Sequence, residues 1–539
     1  MKTVFHHGKI YVERGVFAQA VLVEDGVIRA VGTDEEILAA AGSDAEIIDC
    51  EGRTVIPGLN DCHLHLEMVG EALAQVDLNG ATSVDEIVER CKTFMAENPE
   101  LTKHGVVGVG WNQDFFTGEK VPPTRTQLDR ITTEVPVVLV RACRHIVATN
   151  SRVVELLGLH GDAQPYEGGK VVIGPDGEPN GVLCENALAH ATALIPSFSF
   201  EQQTDLLGKA MAYAVAHGIT SVQSNDAGMA MDIPRALRML HAVYDGGMGT
   251  LRYRHQVCCK TLADYEQFLA SDEYKKRDEL YDEWLTLGPL KLFKDGSLGA
   301  RTALMRHEYH DDPGNYGVES LSDGLQEAFC AMADAHGMQV VTHVIGDAAV
   351  EKTINAYEKV LHGGKNPLRH ALIHCQITDR PQLERIAKLG LLTYYQPIFL
   401  DYDIHTVYDR VGAELASTSY AFRTLEELGG PVAYSSDAPV ENCNPFPNIY
   451  CAVTRQDKTG FPPEGLFPEE RVDVETAIDA YTLGSAYAEF AEQVKGRIKP
   501  GYYADLVVLD HDIFTCAPRD IMDILPVLTM VGGKIAYKR

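Results

Sequence analysis

Two histidines one residue apart, His63 and His65 in Pro57-Gly-Leu-Asn-Asp-Cys-His-Leu-His-Leu66, carry the chemistry that stands out most in this chain. Side chains at i and i+2 of a strand share a face, so the pair presents both imidazoles on one side. Imidazole is the commonest metal ligand near neutral pH, and two on one strand make half of a divalent site. The remaining ligands are then expected at the ends of later strands. His343 ends Met338-Gln-Val-Val-Thr-His, His374 ends His370-Ala-Leu-Ile-His, and Asp437 ends Pro431-Val-Ala-Tyr-Ser-Ser-Asp. Lys291 lies inside the otherwise apolar Gly288-Pro-Leu-Lys-Leu-Phe. A buried lysine without a partner loses its proton readily, and the neutral amine can take up carbon dioxide to give a carbamate that bridges two metals. The plainer alternative for Lys291 is an edge lysine that snorkels to water. Lys294, on the opposite face, is the weaker candidate.

These residues need a scaffold that brings strand ends together. Strand candidates are Leu59–Leu64, Ile219–Ser224, Leu251–Cys258, Leu287–Phe293, Gln339–His343, Ala371–His374, Leu391–Gln396 and Val432–Ser436. Helical stretches such as Leu325–His336 and Gln382–Leu389 separate most of them. Eight parallel strands linked by helices predict an α/β fold, the (β/α)8 TIM barrel, spanning residues 57–496. Residues 66–216, between the first and second strands, are too many for one crossover and must hold an insertion. Residues 1–56 and 497–539 are both rich in short alternating runs with glycine turns, Glu24-Asp-Gly among them, and predict one small β-sandwich built from both termini.

Composition bounds the function. The chain has 539 residues, 45% hydrophobic and 23% charged, as expected for a soluble globular protein of two or three units. With 77 acidic against 47 basic residues the formal net charge is −30, which offers nothing to neutralise phosphates and excludes a nucleic-acid or anionic-membrane surface. No apolar stretch reaches the ~18 residues of a membrane span. The N-terminus lacks the apolar core of a signal peptide, and the 12 cysteines show no framework, so they read as reduced and the expected compartment is cytoplasmic. A homo-oligomer is compatible with the sequence.

The chain resembles the amidohydrolase superfamily, in its YtcJ-like branch (Amidohydro_3), which includes N-substituted formamide deformylases. The resemblance covers nearly the whole chain. Beyond His63-Leu-His65 it rests on Gly110-Trp111-Asn-Gln-Asp, Pro123-Thr-Arg-Thr-Gln-Leu-Asp129, Lys291-Leu-Phe-Lys-Asp-Gly-Ser-Leu-Gly-Ala-Arg301-Thr-Ala, His343-Val-Ile-Gly-Asp347 and Ser436-Asp437-Ala-Pro-Val. The closing Gly496-Arg-Ile-Lys-Pro-Gly-Tyr-Tyr-Ala-Asp-Leu-Val-Val-Leu-Asp510 belongs to the same pattern. Two positions depart from it: Ile373 stands where the family often has Glu, and Arg144-His145 where it usually has Gly-His.

The resemblance implies a metal-dependent hydrolase that cleaves a non-peptide C–N bond of a small molecule, in an amide, an N-formyl group or a cyclic amide. It implies His63 and His65 on a first ion, His343 and His374 on a second, carboxylated Lys291 between them, and Asp437 as both ligand and catalytic proton carrier. Zinc suits the His-plus-oxygen set best, with iron or manganese also compatible, as one ion or two. Trp111, His145, Glu185 and Arg301 are substrate-binding candidates, against core packing for Trp111, an insertion hydrogen bond for His145 and a structural salt bridge for Arg301. Rival readings are deamination or another non-hydrolytic chemistry on the same metal site, and a non-catalytic scaffold, which would be expected to have lost ligands.

Overall fold

The computed structural model describes residues 2–229 and 231–539. Eight strands form one parallel sheet: β1 (Leu59–Leu64), β2 (Ile219–Ala227), β3 (Arg252–Cys258), β4 (Leu285–Phe293), β5 (Val340–Val344), β6 (Ala371–His374), β7 (Leu392–Tyr395) and β8 (Val432–Tyr434). Each pairs with the next in register order, from β1 through to β8. All eight expected strands are present, with ends shifted by a few residues at most.

Closure between β8 and β1 comes from the chain just beyond β8. The Asp437 N–H donates to His63 O at 3.0 Å, and the His65 N–H donates to Ala438 O at 2.7 Å. The buried Asp61 carboxylate accepts from Ser436 N at 3.1 Å, from Ser436 Oγ at 2.5 Å and from His63 N at 3.2 Å. Burial pushes the Asp61 carboxyl up to about 7, opposed by these donors. The sheet is therefore a nearly closed barrel whose seam includes three of the expected ligands, His63, His65 and Asp437.

Strands β4 to β8 read largely as apolar runs, whereas β1, β2 and β3 carry buried polar residues such as Asp61, Gln223, Arg254 and Gln256. Helices cover the outer faces and side chains fill the inside. Cys62, Val341, Ala371, Ile373, Leu392, Tyr394 and Ala433 form one buried cluster within the barrel wall. Ile373, at the first departure from the family pattern, is thus a fully buried packing residue.

The two chain ends share one of two terminal sheets. Lys2–His6, Ala20–Glu24, Val27–Gly32 and Glu46–Asp49 make a four-stranded sheet. A six-stranded sheet joins Thr54–Pro57 antiparallel to Leu506–Leu509 and continues through Pro526–Val531 and Lys534–Lys538. Phe5, Val21, Val23 and Ile28 of the first sheet and Leu506, Val508, Leu528 and Met530 of the second belong to one apolar cluster.

The chain divides into two compact units, Met1–Val69 with Leu207–Arg539, and Gly70–Leu206. The second has its own six-stranded mixed sheet, in the order Gly169–Ile173, Pro179–Glu185, Ile146–Thr149, Val137–Arg141, Val106–Trp111 and Val76–Asp77, and its own apolar clusters. No described helix is long and apolar enough to cross a membrane.

Candidate metal centre

The C-terminal ends of the barrel strands are where a (β/α)8 scaffold places its chemistry. His63 near the end of β1, His65 just after it and Asp437 just after β8 are all buried, with their ligand atoms within 4.8 Å of one another. Asp437 Oδ1 lies 3.4 Å from both His63 Nε2 and His65 Nε2. The His63 and His374 rings stand 6.0 Å apart between centroids, and the His374 and His343 rings 4.5 Å apart. Lys291 Nζ lies 3.2 Å from His63 Nε2 and 4.6 Å above the Phe293 ring. All six expected ligands therefore converge, His63, His65 and Asp437 as the compact set and His343 and His374 as a second pair beside it.

Which ring nitrogen can bind an ion is decided on the far side of each imidazole. His63 Nδ1 faces Gln256 Oε1 at 3.1 Å, and His374 Nδ1 faces Gln396 Oε1 at 2.7 Å. Both glutamines have their amide nitrogens committed, Gln256 Nε2 to Cys62 O and Gln223 O, and Gln396 Nε2 to Tyr394 O and Ser435 Oγ. Their oxygens can only accept, so each Nδ1 carries the proton and each Nε2 keeps a free lone pair. His65 Nδ1 donates to Asn225 O at 3.0 Å, with the same result. His343 is turned the other way: Nε2 donates to Gly296 O at 3.0 Å, leaving Nδ1 free. Four imidazoles held in chosen tautomers around one point make a ligand set, and a carboxylate completes its oxygen donors.

Backbone conformation aims two of the ligands. His374 has φ 73° and Asp437 φ 58°, left-handed conformations that cost a non-glycine residue of order 1 kcal/mol. The Gln396 and His63 hydrogen bonds described above hold them there.

The electrostatics match a site built for a cation. Burial is the largest cause that lowers the proton affinity of His63, well below the ordinary range, with the Lys291 charge second. Burial likewise holds His343 low and brings His374 to about 4. For Asp437 burial acts upward but is outweighed by the His65 hydrogen bond and the His374 charge, so its carboxyl sits below its usual value. Lys291 is fully buried and is pushed down to about 7, by burial against a weaker pull from Asp437. His65 runs the other way: burial lowers its proton affinity, but the hydrogen bond and charge of Asp437 outweigh it and hold it above the usual value. Neutral His63, His343 and His374, an ionised aspartate and a readily deprotonated lysine are states that metal ligation requires.

Sequence reasoning missed the groups that hold the ligands: Gln256, Gln396, the Asn225 and Gly296 carbonyls, and Asp61. Asp295 also belongs here. It accepts from Leu304 N, Ile345 N and Gly346 N, and fixes the loops after β4 and β5. Gln256 carried no signal of the kind that marked Lys291, because its strand, Arg252-Tyr-Arg-His-Gln-Val-Cys258, is polar along most of its length.

The four substrate-binding candidates are placed differently. Trp111 is fully buried in an apolar cluster of the Gly70–Leu206 unit and donates its indole N–H to Leu139 O at 2.8 Å, so it is a packing residue. His145 and Glu185, on the same unit, are exposed and bonded to each other at 3.0 Å. Arg301 forms a two-pronged pair with Asp311 at 3.0 and 2.8 Å, which occupies its guanidinium fork. Asp347 of His343-Val-Ile-Gly-Asp347 accepts from Arg306 Nε at 2.6 Å and serves as a loop clamp.

Comparisons with known proteins agree with this geometry. The Amidohydrolase family, Amidohydro_3, matches residues 46–537. The chain is 34% identical over 544 residues to YtcJ of Bacillus subtilis (strain 168), a protein named for the amidohydrolases, with both chains covered in full (100% and 100%). It is 27% identical to the N-substituted formamide deformylase of Arthrobacter pascens, covering 98% of this chain and 96% of that one. Among solved structures, an uncharacterized metal-dependent hydrolase from Pyrococcus furiosus matches with a TM-score of 0.74 at 27% identity, covering 96% of this chain and 100% of that one. A barrel with His-x-His at the end of its first strand, matched over nearly its whole length, leaves one assignment: the chain belongs to the amidohydrolase family.

Proposed function

We propose that this protein is a metal-dependent hydrolase that cleaves a non-peptide C–N bond of a small molecule, in an amide, an N-formyl group or a cyclic amide. One observation carries the reading: four tautomer-fixed imidazoles, an ionised aspartate and an uncharged-leaning lysine converge at the mouth of one barrel. Likeness to the formamide deformylase and to the metal-dependent hydrolase of known structure supports it.

His63 Nε2, His65 Nε2 and Asp437 would hold a first ion, and His343 Nδ1 and His374 Nε2 a second. Lys291 would bridge them as its carbamate, formed when the neutral amine attacks carbon dioxide and gives up one proton. Zinc suits this nitrogen-rich set. When bound, such an ion supplies Lewis acidity, polarising a carbonyl and making hydroxide available near neutral pH.

The chain's own residues do the rest. Asp437 turns Oδ1 towards His63 and His65, and Oδ2 is left to take the proton from attacking water and deliver it to the leaving nitrogen. Gln256, Gln396 and the Asn225 carbonyl keep the imidazoles from rotating or changing tautomer during that transfer. The surrounding buried shell keeps bulk water away from the reacting groups.

The test is turnover of a panel of N-formyl, N-acyl and cyclic amides by protein as purified, after chelation and after zinc addition. Release of formate or carboxylate that chelation abolishes and zinc restores is the expected result. Release of ammonia from an amidine-like carbon, with no amide cleaved, would replace hydrolysis by deamination.

A further inference from the structure

A cavity of about 580 Å³ opens between the chain just after β2 and the chain just after β3. That volume is within the range of small-molecule pockets, roughly 300–1,000 Å³. Its walls are largely apolar: Met229, Ile233 and Leu237 on one side, Phe268 on the other, with Cys258 among the lining residues. Met229 is 43% exposed, an unusual position for a large apolar side chain unless something covers it.

Two independent links tie this cavity to the metal centre. Cys258 pairs in register with Lys291 on neighbouring parallel strands, so the two side chains share a face, and Cys258 lines the cavity. On the other side, the Asn225 amide reaches Met229 Sδ at 3.8 Å, while the Asn225 carbonyl holds His65. At the base the two loops pass so closely that a Cβ on Gly228 would lie 1.9 Å from Cys258 O, and Gly228 has φ +83°. Glycine is required there on both counts. The cavity lining thus includes the register partner of Lys291 and the contact partner of Asn225.

Its charges narrow what can enter. Asp232, Asp264 and Glu273 contribute three carboxylates to the lining, against one ammonium from Lys260. Arg301, the cationic member of the substrate-binding candidates, is occupied by Asp311. An anionic tail meets a net negative lining in the one place and an occupied guanidinium in the other.

We propose that this chamber holds the apolar, uncharged or cationic substituent of the scissile amide, and that it selects substrates by the length of that substituent. The proposal rests on the hydrolase reading above. Transfer of each methylene into the chamber should raise affinity about fourfold until the space is filled.

The experiment measures binding and turnover of N-alkylformamides from methyl to hexyl, together with N-formyl-6-aminohexanoate. Binding is read by calorimetry on chelated protein, turnover on the zinc-loaded enzyme. Affinity and kcat/KM should climb about fourfold per methylene, and the carboxylate-ended compound should fall about tenfold or more below the hexyl one. Ile233→Trp and Gln267→Trp, on the two different flanking helices, should each pull the hexyl-to-methyl ratio towards one. A flat series in the wild type, or a ratio that neither variant moves, overturns the proposal. Length-dependent binding without turnover would leave the chamber standing and sink the hydrolase reading instead.

Discussion

Two buried lysines sit at opposite ends of the same barrel, and they are not alike. At the floor, near the N-terminal ends of the strands, Lys495 is ion-paired with Glu489 and donates to Ser221 Oγ, while Asn60 Nδ2 donates to Glu489 at 2.6 Å. At the mouth Lys291 is more deeply buried, yet among the described residues its nearest polar partner is an imidazole nitrogen. Burial lowers the proton affinity of both, but at the floor Glu489 opposes it directly, and at the mouth burial brings the amine to about 7. Burial of a charge therefore marks nothing by itself. A buried charge without its counter-charge marks the place where an ion, or chemistry, is expected to supply it.

The comparison breaks most visibly in activity. Asp437→Asn should cost about 10²–10⁴ in kcat while metal content is retained, because an amide cannot take the proton. Loss of metal together with activity would make Asp437 a ligand alone.

Stability should separate the two lysines next. Lys495→Met leaves the Glu489 charge buried and unpaired, and should lower the unfolding free energy by about 3–5 kcal/mol in urea titrations. Adding Glu489→Gln should recover much of that loss. In chelated protein, Lys291→Met removes an unpartnered amine and should leave stability unchanged or raised. Equal destabilisation by the two single substitutions would erase the distinction.

A smaller effect is expected one bond out from the ligands. Gln396→Leu removes the acceptor for His374 Nδ1–H and should weaken metal binding about 10–100-fold, with the fold intact by circular dichroism.

The mildest prediction concerns acid. Burial pushes His255 down to about 3 and His370 down to about 4, each below the ~6.5 of an unfolded chain. Between those values the unfolded state binds protons that the native state does not. Stability therefore falls as pH drops from 6.5 towards 4, by up to ~1.4 kcal/mol per pH unit for each histidine. His370 Nδ1 accepts the Val340 N–H at 3.0 Å, which fixes its unprotonated form. His370→Gln should flatten the slope by about one proton's share when urea midpoints of chelated protein are compared at pH 6 and pH 5.

Much of the barrel was legible in the sequence because β4 to β8 are buried on both faces and read largely as apolar runs, separated by helical stretches. The ligands stood out against them: a histidine, lysine or aspartate in such a run has no solvent to face. The same logic did not reach the Asn225 and Gly296 carbonyls, since backbone acceptors carry no residue signature. It left Trp111 open between core and pocket, because a large aromatic in a strand looks the same in either; the structure has it in an apolar cluster. Arg301 stayed open for a related reason: its partner Asp311 is ten residues away across a loop whose course periodicity does not encode.

The most direct test of the central claim is elemental analysis of protein purified without chelator, for the wild type, His63→Ala and Lys291→Ala. Close to two zinc-like ions per chain, falling sharply in both variants, is the predicted result. A single ion that Lys291→Ala leaves in place would contradict the bridged centre, and a wild-type protein with no metal would contradict the hydrolase itself.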